Sequence, residues 1–136
     1  MFLPLKFMRV HGESMRPTLN PGELIAVAAH AYDRRQPRRG EVVAARPAAC
    51  GGRLMVKRLG GVPQDEVMVE GRCWQLQEEQ FFLLGDRSDE STDSRTFGPV
   101  TRQELIGPVA CCVWPWRRLT AARAEENGNG QSAQVS

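Results

Sequence analysis

Ser14, in the run Gly12-Glu13-Ser14-Met15-Arg16-Pro17-Thr18-Leu19, and Lys57, in Met55-Val56-Lys57-Arg58, are the residues of this chain best suited to covalent chemistry. A serine hydroxyl is a poor nucleophile near neutral pH and needs a base within hydrogen-bond reach, which here means a histidine or a lysine. His11 stands three residues before Ser14, so an extended segment projects it to the opposite face. A Ser-His-Asp triad would therefore have to use His30, which lies in an unpatterned Ala-rich stretch. Lys57 has better surroundings: Leu54, Met55 and Val56 precede it and Leu59 follows, so strand alternation sets it on the face of Met55 and Leu59. A lysine base must drop its pKa from about 10.4 to roughly 7 or 8, and desolvation on an apolar face does this. Composition alone reads Lys57-Arg58 instead as an exposed pair on a strand.

Ser14 also has a plain structural role open to it, as the cap of a turn with Pro17 in its first turn. The same geometry serves catalysis. Pro17 and Pro21 restrict the chain, Gly12 admits another backbone closely, and the Ser14 amide can point at an oxyanion. A third run, Gly85-Asp86-Arg87-Ser88-Asp89-Glu90-Ser91-Thr92-Asp93-Ser94-Arg95, is polar but directly follows the apolar segment Phe81-Phe82-Leu83-Leu84. Asp86, Asp93 and Arg95 are expected to form a buried ion-pair group that fixes this loop. Ser88, Ser91 and Ser94 are candidate hydrogen-bond partners for the lysine, with a solvated turn as the alternative for most of these side chains.

The elements that must position these groups are short. Apolar runs separated by Gly, Pro and Asp recur about every ten to fifteen residues, the pattern of a mostly β domain. Strands are expected over residues 6–10, 23–29, 41–45, 54–59, 67–69, 73–76, 80–84 and 106–113. Residues 67–74 read as a hairpin turning at Glu70-Gly71. Thr101 and Glu104 form a capping box for one helical turn. The 136 residues, 41% of them hydrophobic, fit one domain, here residues 1–118; the polar segment 119–136 is expected to be disordered.

Several classes are disfavoured. A net charge of +2, mixed along the chain, gives no footprint for nucleic acid, and Arg34-Arg35-Gln36-Pro37-Arg38-Arg39 reads as a solvated loop. The four cysteines form no CxxC pair and neither histidine is near them in sequence, so no metal site is indicated. A Cys50–Cys73 disulfide is left open, while the spacing leans toward reduced thiols. The apolar N-terminus is interrupted by Pro4, Lys6 and Arg9, short of a membrane span and without a leader's cleavage site. The expected location is cytoplasmic or peripheral to a membrane, with contact through that N-terminus.

Together the three runs resemble the type I signal peptidase family, whose members carry a Ser-Met box, a lysine followed by arginine, and a Gly-Asp…Ser-x-Asp-Ser-Arg box in this order. The likeness covers about residues 7–113. It implies a mostly β catalytic domain of coiled antiparallel sheets with a short helical turn or two, working without metal or organic cofactor. It also implies roles: Ser14 as nucleophile, Lys57 as general base, Ser91 orienting the lysine amine, and Met15, Asp86, Asp93 and Arg95 supporting the site. The Ser14 amide would serve the oxyanion hole, and Gly12 occupies the position where some members add a serine hydroxyl. The implied reaction is endopeptidase cleavage through an acyl-enzyme, on a protein or peptide bound as an extended strand.

Ordinary members add membrane anchors and often a second domain, so this chain resembles the compact soluble subgroup, which includes proteases that mature nickel-type superoxide dismutase. A general signal peptidase at a membrane surface and a noncatalytic peptide-binding β module are the alternatives. The self-cleaving repressors share a serine-lysine dyad, but here no DNA-binding helix pair or Ala-Gly cleavage site precedes the serine.

Overall fold

Each of the eight apolar runs forms a strand in the computed structural model, which describes residues 4–87, 92–119 and 134–135. In chain order these are β1 (Leu5–Arg9), β2 (Leu24–Ala28), β3 (Val42–Ala45), β4 (Met55–Gly61), β5 (Glu66–Val69), β6 (Arg72–Gln75) and β7 (Gln80–Leu84). A one-turn helix α1 (Ser94–Phe97), the short β8 (Val100–Thr101), the long β9 (Leu105–Trp114), β10 (Arg117–Arg118) and β11 (Gln134–Val135) follow. The main sheet is antiparallel and curled, in the order β1-β2-β9-β3-β4-β7-β8, with β10 paired to β9. β5 and β6 form a separate hairpin, and β11 pairs with β5 in parallel.

β9 inserts between β2 and β3, so residues far apart in sequence share one sheet. The insertion depends on Gly107: a Cβ there would sit 2.1 Å from the Ala28 carbonyl oxygen. One apolar cluster gathers Val10, Met15, Leu19, Ile25, Val27 and Val109, and a second gathers Tyr32, Val43, Leu59, Phe81 and Leu83. The first cluster draws Met15 and Leu19 out of the serine run and anchors that loop in the core.

Local signals acted as their chemistry requires. Glu70 and Gly71 both take positive φ (52° and 76°), the conformation a two-residue hairpin turn needs. The Thr101 amide donates to Glu104 Oε1 at 2.6 Å, closing the expected box over a 3-10 turn at Arg102–Glu104. The four cysteines are free thiols. Residues 120–133 and 136, most of the segment expected to be disordered, lie outside the described residues.

Candidate active site

The serine loop leaves β1 at Val10 and returns at Glu23, and backbone bonds tie its base: the Val10 amide to the Glu23 carbonyl (2.8 Å) and the Gly22 amide to the Val10 carbonyl (2.8 Å). Within it Ser14 sits in a turn closed by Arg16 N to Glu13 O (3.1 Å) and Leu19 N to Met15 O (2.9 Å). The Ser14 carbonyl accepts from the Arg87 amide at 2.8 Å, which fastens the loop to the segment following β7. Gly12 takes φ +76°, with open space around its Cβ position.

Across the loop runs β4. Its upper half pairs with β3 from Met55 to Arg58, whereas pairing with β7 begins only at Arg58, so one edge of the residues before Arg58 is left to the cavity. Ser14, Lys57, Gly12 and Met15 all line this one cavity of about 410 Å³, with Met8 and Val10 from the β1 side and Met55 and Val56 from β4. That volume lies within the ordinary range of ligand clefts.

Lys57 is 5% exposed and Arg58 4%, so the reading of an exposed Lys-Arg pair is corrected: both cations are buried, on opposite faces of β4. Lys57 lines the cavity beside Met55 and Val56. Burial pushes its pKa down; the Asp93 carboxylate opposes that shift, Arg95 adds to it, and the Cys50 thiol opposes it. Arg58 is matched by Asp86, with Nε to Oδ1 at 2.8 Å and Nη2 to Oδ2 at 2.9 Å. A buried guanidinium needs such a bidentate partner.

Asp86 is therefore not grouped with Asp93 and Arg95 as the sequence suggested; it belongs to Arg58, because that side of β4 faces the start of the third run. Thr18, which sequence reasoning passed over, joins this pair by donating from Oγ1 to Asp86 Oδ2 at 2.5 Å. Its signal was a polar residue between Pro17 and Leu19 in the serine run. Asp93 and Arg95 do form the expected buried pair, Arg95 Nη2 to Asp93 Oδ2 at 2.7 Å and Nε to Oδ1 at 2.9 Å. Burial raises the Asp93 pKa, yet Arg95 and the amides of Gly85 and Arg95 outweigh it, so the carboxyl is held below its usual range. Asp93 also caps α1.

Ser88 and Ser91 lie outside the described residues. The Ser94 hydroxyl oxygen accepts from the Leu83 amide at 2.8 Å, joining α1 to β7. Thr92 and Cys50, singled out by no motif, also line the cavity.

A cleft between strand edges, with a serine turn on one wall and a buried lysine on the other, is an arrangement suited to peptide chemistry. The family model for signal peptidase, peptidase S26, matches residues 1–72 and 69–114, and the chain belongs to that family. It is 28% identical to the probable signal peptidase I-2 of Synechocystis sp. over 81% of this chain, and spans 63% of that protein's length. Against the mitochondrial ATP-independent inner membrane protease subunit 1b of Arabidopsis thaliana it is 32% identical, over 79% of this chain and 69% of the other. Signal peptidase I of Leptolyngbya laminosa is 27% identical over 81% of this chain and 69% of its own.

Proposed function

We propose that this chain is a serine endopeptidase that removes a leader or signal-type segment from a protein through a Ser14–Lys57 dyad. The observation that carries this reading is that Ser14 and a buried lysine of lowered pKa line one cavity. In the mechanism, neutral Lys57 takes the Ser14 proton as Oγ attacks the scissile carbonyl. The Ser14 amide stabilises the oxyanion, the proton passes to the leaving amine, and water then hydrolyses the acyl-enzyme. Arg58 and Asp86 hold the loop to β4, while Asp93 and Arg95 fix the charge environment of Lys57. Substrate enters as an extended strand between β1 and β4, where small side chains fit the apolar walls.

A fluorogenic peptide with alanine beside the scissile bond tests the dyad. Ser14→Ala and Lys57→Met each lower kcat by about a thousandfold or more if the two act as nucleophile and base. Binding without any loss of cleavage in Ser14→Ala would favour the noncatalytic module.

Two finer readings concern the substrate. The resemblance to compact members names the precursor of nickel-type superoxide dismutase, which would place the enzyme in the cytoplasm; a new N-terminus on incubation with that precursor supports it, and an unchanged mass rejects it. The exposed Leu5, Phe7, Trp114 and Trp116 favour instead precursors met at a membrane surface, with the enzyme docked peripherally. Among the described residues no helix is long and apolar enough to cross a membrane.

A further inference from the structure

We propose that Arg117 is a positioning residue for the nucleophile: from the C-terminal hairpin its guanidinium grips the Thr18 carbonyl and the Glu23 carboxylate, and so sets where the loop holds Ser14 over Lys57. The inference rests on the dyad reading for its effect on catalysis, while its structural part stands alone. Arg117 lies on β10, in register with Cys112 of β9, so it is anchored to the interior strand that lies between β2 and β3. Its Nη2 donates to Thr18 O and to Glu23 Oε1, both at 2.6 Å, and its Nη1 to Glu23 Oε2 at 2.8 Å. Glu23 in turn accepts from the Asn20 amide at 2.8 Å, which closes the bend at the end of the loop.

Thr18 is thereby held at two atoms. Its hydroxyl belongs to the Asp86–Arg58 pair beside Lys57, and its carbonyl belongs to Arg117. The loop that carries Ser14 is clamped between β4, which carries Lys57, and the hairpin β9–β10. Arg117 touches no reacting atom; it acts through the loop. The Glu23 carboxyl is held down to about 2, chiefly by its hydrogen bonds with Arg117, so the clamp is fully charged at any working pH.

Removing Arg117 alone strands the Glu23 carboxylate, 11% exposed, and endangers folding. Two milder variants avoid this: Arg117→Lys, which keeps the charge but loses the fork, and the double variant Arg117→Met with Glu23→Gln, which removes the charge pair and the Thr18 contact together. The measurements are kcat and KM on the alanine peptide below the melting temperature, and amide exchange at Leu19 and Arg87. Both variants should lose about tenfold to a hundredfold in kcat with KM within about twofold, as expected when a nucleophile is misplaced by less than an ångström or so. Exchange at the two amides should rise about tenfold or more.

Kcat within about twofold of wild type in both variants overturns the proposal, even if the melting temperature falls, because a purely structural pair would lower stability alone. Unchanged exchange at Leu19 and Arg87 also overturns it, and needs no substrate. If Ser14→Ala cleaves as well as wild type, the dyad reading fails, and exchange then decides the clamp by itself.

Discussion

At the scale of single residues, the proposed dyad has Lys57 trade stability for chemistry. Burial lowers its pKa, so the unfolded chain, with an ordinary lysine, binds its proton more tightly than the folded one. Below the folded pKa the protein carries a buried ammonium at full cost; as pH rises through that value toward the ordinary 10.5, this cost is relieved. Lys57→Met should therefore abolish cleavage while raising the melting temperature by on the order of 5 °C at neutral pH, with the gain shrinking as pH approaches 10. For the active enzyme, kcat/KM should climb with pH around a midpoint below 10.5. A midpoint at or above the ordinary lysine value would remove Lys57 as base. That Ser14 and Lys57 share one cavity could be anticipated from the sequence because each stands in a distinctive run. The Arg58–Asp86 partnership could not, since it depends on which face of β4 the loop after β7 meets. Asp86→Asn should cost about 3–5 kcal/mol by leaving Arg58 without its charge partner in the interior, measured by denaturant melts.

The strands themselves were readable from apolar runs, and Gln80–Leu84 appears with its expected limits. Elements without a hydrophobic period escaped: α1 is one turn whose start depends on Asp93, and β8 and β10 have two residues each. Neither length leaves room for alternation to register. Gly107 stands in an apolar run with nothing local to mark it, yet the contact it avoids is with backbone that cannot move aside. Gly107→Ala should destabilise by about 2 kcal/mol or more in urea unfolding, against near neutrality for a typical exposed strand position. At Gly12 the reverse holds. Nothing crowds its Cβ position, so Gly12→Ala is limited to the strain of a positive φ, about 1 kcal/mol.

For the molecule as a whole, sheet order was beyond sequence reading, because β9 reaches β2 and β3 across long separations and no local pattern records that pairing. The order also gathers exposed side chains. Direct pairing of Arg9 with Leu24, and of Leu24 with Trp114, brings Leu5, Phe7 and Trp114 to one side of the sheet, near the cavity lined by Met8 and Arg9. Aromatic and basic groups on one side suit a lipid headgroup surface. Sedimentation with vesicles containing anionic lipid should pull down the wild type, and Trp114→Ala with Trp116→Ala should weaken that binding about tenfold or more; equal binding by both would leave the precursor to arrive free in solution. The dyad is read most directly from the mass of the Ser14 peptide after rapid acid quench with an activated ester of the alanine peptide. A dyad predicts an acyl adduct on Ser14 in the wild type and none in Lys57→Met at the same time point. An adduct elsewhere, or equal acylation of Ser14 in the Lys57→Met variant, would contradict it.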